Sequence, residues 1–120
     1  MKILVCGSRD WTDYQYIKSV LDMYFDLYQG RFEIISGDCT GADKMSLRWA
    51  DEKAINSTMY SADWRKNKLA AGPIRNQQMI DQNPDLVIAF KTKEKSKGTD
   101  DLLERALKKK IVASIYYGIK

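Results

Sequence analysis

The sequence predicts one α/β domain of three layers, in which helices cover both faces of a parallel sheet. Short runs rich in β-forming residues alternate with stretches of helical periodicity, which is the pattern of βαβ units with right-handed crossovers. The run DLVIAF (85–90) is typical of a central strand in a parallel sheet. A chain of 120 residues without a linker, a repeat or a low-complexity tract has the size of a single domain, so we assign residues 1–120 to one domain.

The first βαβ unit is the clearest part of the N-terminal half. KILVC (2–6) is the first predicted strand. A helix follows, which Thr12 can cap and which Gly30 stops after Tyr28, with apolar residues at helical spacing between them. FEIIS (32–36) is the second predicted strand, and it leads into the unusual stretch GDCTGAD.

The remaining elements have separate signals. Met45 and Trp49 lie on one face of the second predicted helix, Pro73 suits the first turn of the third, and Leu102 and Ala106 share a face of the fourth. STMYS is the weakest strand candidate. In chain order, these elements are a helix over 42–54, strand 57–61, a helix over 72–82, strand 85–90, a helix over 99–109 and strand 111–117.

The composition excludes several classes of function. The chain has no histidine, which excludes a Ser-His-Asp triad and disfavours a transition-metal site. We expect no required cofactor and no protein metal site, although abundant carboxylates leave room for a weakly held Mg²⁺. Two cysteines make no disulfide scaffold, and the apolar run at the N-terminus is too short for a signal peptide, so we expect a cytoplasmic protein without a membrane partner.

The charge mildly favours an anionic partner, since the net charge is +4 and the isoelectric point is about 9.0. In an open parallel sheet, ligands bind outside the carboxyl ends of the strands. The residues that follow the strands should therefore form the site. The candidates are Gly7, Ser8 and Arg9 after the first strand, Gly37, Asp38, Thr40, Gly41 and Asp43 after the second, and Ser96, Gly98 and Thr99 before the last helix.

The stretch SKGTDD (96–101) is the best candidate for a phosphate site. Glycine and threonine at a helix start expose backbone N–H groups and a hydroxyl, and the helix dipole favours an anion there. Lysines precede this stretch, and Arg9 points to the same edge with a fork for phosphate or carboxylate. The structural alternative is a simple N-cap by Thr99.

The other glycine-rich turns have similar pairs of interpretations. Gly7 and Ser8 can allow close approach to a ligand or form a tight turn, and Thr40 can cap the helix that begins at residue 42. Arg75 falls in the first turn of a helix, where the dipole disfavours a cation, so we expect it to have a role, with Asn76 contacting a base or ribose. The Walker A and GxGxxG patterns are absent from the sequence.

These motifs, in order with WA (49–50), ADW (62–64), AGPIRNQQM (71–79), DLVIAF and SKGTDDL, resemble the YspA/YpsA-related branch of the SLOG (SMF/DprA-LOG) superfamily. The resemblance covers nearly the whole chain and extends to bacterial and phage proteins. It implies a Rossmann-like fold with strand order 3-2-1-4-5, nucleotide-type ligands and a homo-oligomer. It also implies a phosphate at Gly98 and Thr99.

The resemblance leaves three functional hypotheses. The first is binding of a nucleoside monophosphate or an ADP-ribose- or NAD-like molecule, by a sensor or a processing enzyme, with Asp38 and Asp43 meeting ribose hydroxyls or a metal. The second is cleavage of an N-glycosidic bond, as in LOG phosphoribohydrolases. The glutamate of their PGGxGTxxE motif is Leu102 here, so Asp38 or Asp101 would have to serve as the catalytic carboxylate. The third is DprA-like binding of single-stranded nucleic acid, which Trp11, Trp64 and the lysines favour.

Overall fold

The computed structural model describes residues 1–93 and 95–118, and it contains one sheet of five parallel strands. The strands are Lys2–Gly7 (β1), Glu33–Gly37 (β2), Ser57–Tyr60 (β3), Leu86–Lys91 (β4) and Ala113–Tyr117 (β5). The helices are Tyr14–Tyr28 (α1), Ala42–Glu52 (α2), Trp64–Asn67 (α3), Ala71–Ile80 (α4) and Lys97–Lys108 (α5), and a 3₁₀ turn, Lys68–Ala70, joins α3 to α4.

The strand order is β3-β2-β1-β4-β5. β1 lies at the centre, where Leu4 pairs with Ile35 on one side and with Val87 on the other. This order and the parallel arrangement confirm the Rossmann-like α/β fold expected from the sequence. The two edge strands are short and largely exposed, which agrees with the weak strand signal of β3.

The two faces of the sheet carry separate apolar clusters, so the domain has three layers. On one face, Ile3 packs in a cluster that contains Trp49 of α2 and residues of α1. On the other face, Leu4 packs with Met79 of α4 and Leu102 of α5. Neighbouring residues of β1 thus point into opposite clusters, as the period of two in a strand requires.

The first and third helices differ from the sequence prediction. The carboxylate of Asp13, rather than Thr12, caps α1 by accepting a hydrogen bond from the Tyr16 N–H at 3.1 Å. The short helix Trp64–Asn67 was not predicted, because four residues are too few to show helical periodicity. Asp63 caps this helix in the same way as Asp13 caps α1.

The last helix begins at Lys97, two residues earlier than the sequence suggested, so Thr99 lies inside its first turn and is not the cap. The carboxylate of Asp100 accepts a hydrogen bond from the Ser96 N–H at 3.1 Å, and the Asp100 N–H donates to the Ser96 carbonyl at 2.7 Å. This reciprocal pair makes Ser96 the N-cap residue of α5.

The direction of strand addition reverses between β1 and β4, which is the switch point where α/β sheets bind ligands. The turn after β1 and the segment from β4 to α5 therefore flank the same crevice. Within the described part of the chain, every helix is too short or too polar to cross a membrane.

Candidate functional site

A cleft of about 650 Å³ opens at the carboxyl ends of β1 and β4, between α4 and the start of α5. Its walls come from five segments of the chain. They are the end of β1 and the turn after it (Cys6, Gly7, Ser8, Arg9, Asp10), the turn after β2 and the start of α2 (Cys39, Asp43), the α3 region (Trp64, Leu69), α4 (Gly72, Pro73, Arg75, Asn76, Met79) and the β4–α5 region (Thr92, Lys93, Lys95, Ser96, Lys97, Gly98, Thr99, Asp101, Leu102).

The turn after β1 is fixed to the end of β4. The Ser8 N–H donates to the Phe90 carbonyl at 2.8 Å, and the Ser8 hydroxyl accepts from the Thr92 N–H at 3.0 Å. A Cβ on Gly7 would lie 2.3 Å from the same Phe90 oxygen, so only glycine fits between β1 and β4 at this point. Arg9, the next residue along the turn, is exposed at the cleft.

The turn after β2 packs against the turn after β1. Gly41 has a φ of +76°, and a Cβ there would lie 2.4 Å from the Ser8 carbonyl oxygen. The Thr40 hydroxyl donates to the Arg9 carbonyl at 3.3 Å, so Thr40 joins the two turns and does not cap α2. A Cβ on Gly37 would lie 2.7 Å from a carboxylate oxygen of Asp43. Contacts within the protein therefore account for the glycines at these positions.

Arg75 is buried at the base of the cleft, where its guanidinium contacts three neighbouring side chains. Nη1 donates to the Asp38 carboxylate at 2.8 Å, Nε donates to the Asn76 side-chain oxygen at 3.2 Å, and Nη2 lies 3.8 Å from the Cys39 sulfur. The arginine that the sequence placed against the helix dipole is thus held by a carboxylate from the turn after β2. Asp38 itself is outside the cleft lining.

Asp43 is a buried carboxyl group that lines the cleft. Burial raises its pKa to about 6, although the nearby Arg75 guanidinium and a hydrogen bond from the Cys39 N–H oppose this shift. A carboxyl group with this pKa is partly protonated near neutral pH, so it can donate or accept a proton there. Burial also raises the pKa of the Cys6 thiol, which therefore stays protonated.

The first turn of α5 forms the wall opposite α4. Among the described residues, the backbone N–H groups of Lys97, Gly98 and Thr99 have no hydrogen-bond acceptor. A Cβ on Gly98 would meet no heavy atom within 4 Å, in contrast to the glycines of the other two turns. The side-chain amide of Asn76 donates to the Gly98 carbonyl at 3.1 Å and to the Asp101 carboxylate at 2.9 Å, which connects α4 to α5.

Two acidic residues of α5 are already engaged by the protein. Burial disfavours the charged form of Asp101, but hydrogen bonds from Arg105 and Asn76 outweigh that effect and lower the pKa of Asp101. Asp100 likewise has a lowered pKa, because its hydrogen bond with Lys91 outweighs the effect of burial. Both groups are therefore ionised at neutral pH and cannot act as acids there.

Four cations surround the opening near α5. Arg9, Lys93, Lys95 and Lys97 all line the cleft, and none of them forms an ion pair within residues 1–93 and 95–118. The free N–H groups of α5 and these four cations give this end of the cleft a positive character. The same ranges contain no group of three or more Cys, Asp or Glu residues that could hold a metal ion.

The cleft brings together most of the residues that the sequence singled out. Gly7, Ser8, Arg9, Asp43, Arg75, Asn76, Ser96, Gly98, Thr99 and Asp101 line it, whereas Gly37, Asp38, Thr40 and Gly41 lie outside its lining. Sequence reasoning gave no role to Leu69 or Met79 and considered Trp64 only for nucleic acid. Leu69 follows the polar run RKNK (65–68) and is the first large apolar residue after Trp64, which is the signal in the sequence that could have pointed to it.

The fold and the cleft together define a Rossmann-like α/β protein with a site at the switch point of the sheet. A sequence model of the YspA, cpYpsA-related SLOG family (YAcAr) matches residues 1–67, which is more than half of the chain, and the chain belongs to that family. The match includes the turns after β1 and β2 and ends at α3, before α4 and α5. Membership of this family is consistent with nucleotide-related binding or processing.

A curated relative is similar over a larger part of the chain. The Gene 61 protein of Mycobacterium phage D29 is 29% identical over 94 residues, which are 74% of this chain and 75% of the relative. The similarity to a phage protein agrees with the bacterial and phage distribution that the resemblance implied.

Proposed function

We propose that the chain binds a nucleotide or a nucleotide-derived small molecule in the cleft, either a nucleoside monophosphate or an ADP-ribose- or NAD-like molecule. The phosphate would lie on the first turn of α5. The observation that carries this proposal is the set of free N–H groups at Lys97, Gly98 and Thr99, together with the open space at the Cβ position of Gly98. Backbone N–H groups at a helix N-terminus, together with the helix dipole, favour an anion.

The charges around this turn support a phosphate over a neutral group. Arg9, Lys93, Lys95 and Lys97 form no ion pair among the described residues, so an anionic ligand would gain attraction without breaking one. The cleft volume of about 650 Å³ lies within the range of about 300–1,000 Å³ that is usual for small-molecule sites. The buried Arg75 guanidinium has N–H groups beyond those that bond Asp38 and Asn76, and these are available for a ribose or base farther along the cleft.

Calorimetric titration with AMP, GMP, ADP-ribose and NAD tests this proposal. We expect at least one of the four to bind, and Arg9→Ala to weaken that ligand by about 1 to 2 kcal/mol, which is about 5- to 30-fold in Kd. The matched control is Arg31→Ala, which removes the same charge from an exposed arginine between α1 and β2. Arg31 precedes β2 and so lies at the amino ends of the strands, away from the cleft. No binding of any nucleotide, with salt-sensitive binding of a short oligonucleotide instead, would refute the proposal and favour nucleic acid.

Asp43 favours a second candidate function, which is hydrolysis of the N-glycosidic bond of a nucleoside monophosphate. A buried carboxyl group with a pKa of about 6 could protonate the departing base while water adds to the sugar. Incubation with nucleoside monophosphates tests this candidate by release of free base. We expect Asp43→Asn to abolish release and Asp101→Asn to retain it, since the ionised Asp101 cannot donate a proton. Release unaffected by Asp43→Asn would exclude Asp43 as the acid.

A further inference from the structure

The three tryptophans of this chain have different environments. Trp11 and Trp49 are buried, with 2% and 0% of their surface exposed, and their indole N–H groups donate to the Asp13 carbonyl and the Asp22 carboxylate. Trp64 is 48% exposed, and its indole N–H has no acceptor among the described residues. Core packing therefore explains the first two tryptophans and leaves much of the Trp64 ring available to a ligand.

Trp64 belongs to the wall of the cleft. It is the first residue of α3, and Asp63 holds this helix by accepting the Lys66 N–H. A Cβ on Gly72 would lie 3.5 Å from the ring, at ordinary van der Waals distance, so the indole rests beside the start of α4. The helix–turn connection thus places the indole ring along the cleft.

A second apolar side chain extends this surface. Leu69 lines the same cleft and is 93% exposed, which is the highest value among the large apolar side chains that the structure describes. The preceding Lys68 has a φ of +51°, a left-handed conformation that is uncommon for a residue with a Cβ. Packing within the chain explains neither the exposure of Leu69 nor the strained turn beside it, whereas a ligand in the cleft would cover both Trp64 and Leu69.

We propose that Trp64, with Leu69 beside it, is the surface on which the cleft stacks the flat base of its ligand. This inference rests on the proposed function and adds the base-binding half of the site to the phosphate-binding half. The two halves differ in chemistry: the α5 end offers N–H groups and cations, and the α3 end offers an indole face. A nucleobase has a π-face that stacks on indole, and such stacking tolerates different bases.

Calorimetric titration with AMP and with ribose 5-phosphate separates the two halves of the ligand. We expect Trp64→Ala to raise the Kd for AMP about 5- to 150-fold, the range that base stacking contributes, and to leave the Kd for ribose 5-phosphate unchanged. Trp64→Phe, which keeps an aromatic face, should recover most of the AMP affinity. Met59→Ala is the matched control, since Met59 is 52% exposed and lies outside the cleft lining.

A second readout reports on the ring itself. In a ¹⁵N-labelled sample the three indole N–H resonances are separate signals, and we expect AMP to shift the Trp64 signal while ribose 5-phosphate leaves it in place. Trp64→Ala with wild-type AMP affinity, or with equal losses for AMP and ribose 5-phosphate, would overturn the role of Trp64 and leave the phosphate site standing. Binding of neither ligand by the wild type would overturn the inference for AMP, and the same titrations with GMP, ADP-ribose and NAD would overturn the proposed function as well if none of them bound.

Discussion

Gly98→Ala should impair ligand binding without impairing the fold. An added Cβ at Gly98 meets no heavy atom within 4 Å, so the substitution causes no clash inside the protein. The methyl group would, however, enter the space in front of the free N–H groups of α5. Gly7→Ala is the matched contrast, because its Cβ would lie 2.3 Å from the Phe90 carbonyl oxygen and 2.6 Å from the Ala42 Cβ.

The expected stability changes have opposite signs. Alanine in place of a helical glycine stabilises by up to about 1 kcal/mol. An unfolding entropy of about 2.1 cal/mol/K per residue gives about 250 cal/mol/K for this chain of 120 residues, so that gain raises Tm by up to about 4 °C. For Gly7→Ala, β1 and β4 must separate locally, and we expect a loss of about 1–3 kcal/mol from this overpacking.

Thermal unfolding by circular dichroism measures the stability of both variants, and calorimetric titration with AMP measures binding. We expect Gly98→Ala to melt at or above the wild-type temperature and to bind AMP at least about tenfold more weakly, which is the loss of about one hydrogen bond to a charged group. Wild-type affinity in Gly98→Ala would refute the phosphate position. A loss of more than about 1 kcal/mol of stability would refute the reading of Gly98 as free of internal contacts.

Three further predictions concern individual charged side chains. The folded-state pKa of Asp43 is raised from 3.8 to about 6, so the contribution of Asp43 to the free energy of unfolding should fall by about 3 kcal/mol as pH rises from about 4 to 7. Urea unfolding of the wild type and of Asp43→Asn over this pH range measures the change. Parallel pH profiles of stability for the two proteins would contradict this prediction. Arg75→Met should lower the free energy of unfolding, measured with urea, by about 3–5 kcal/mol, because Asp38 and Asp43 lose their buried cation. A loss below about 1 kcal/mol would contradict this prediction and show that solvent already compensates these carboxylates. Asp22→Ala should lower the free energy of unfolding by about 1–3 kcal/mol, because the buried Trp49 indole N–H loses its acceptor. The control Met23→Ala on the same helix should change it by no more than about 0.5 kcal/mol. Equal losses in the two variants would refute the role of this hydrogen bond.

The elements with strong periodicity could be predicted from the sequence, and the local geometry of the site could not. The segments that form β1, β2 and β4 are apolar and bounded by turn residues, so the sequence predicts them as strands of a parallel sheet. The strand order came from the family resemblance. The start of α5 was misplaced, because the cap depends on Asp100 reaching back to Ser96, a contact that competes with the obvious Thr99.

The glycines show where sequence reasoning about the site stops. Gly7, Gly41 and Gly98 look alike in the sequence, and each could admit a ligand. Gly7 faces the backbone of β4, Gly41 faces the backbone of the turn after β1, and Gly98 faces open space at the cleft. This distinction depends on which strands and turns are neighbours, so it requires the fold. The exposed Trp64 is a similar case, because only its position beside α4 links it to the cleft.

The most direct test of the central claim is a ¹⁵N–¹H correlation spectrum of the protein titrated with AMP and, separately, with adenosine. We expect AMP to shift the backbone N–H resonances of Lys97, Gly98 and Thr99 more than any others, because these groups would donate to the phosphate. Adenosine, which lacks the phosphate, should leave these three resonances in place. Saturable shifts by AMP at other residues, with the first turn of α5 unaffected, would contradict the account.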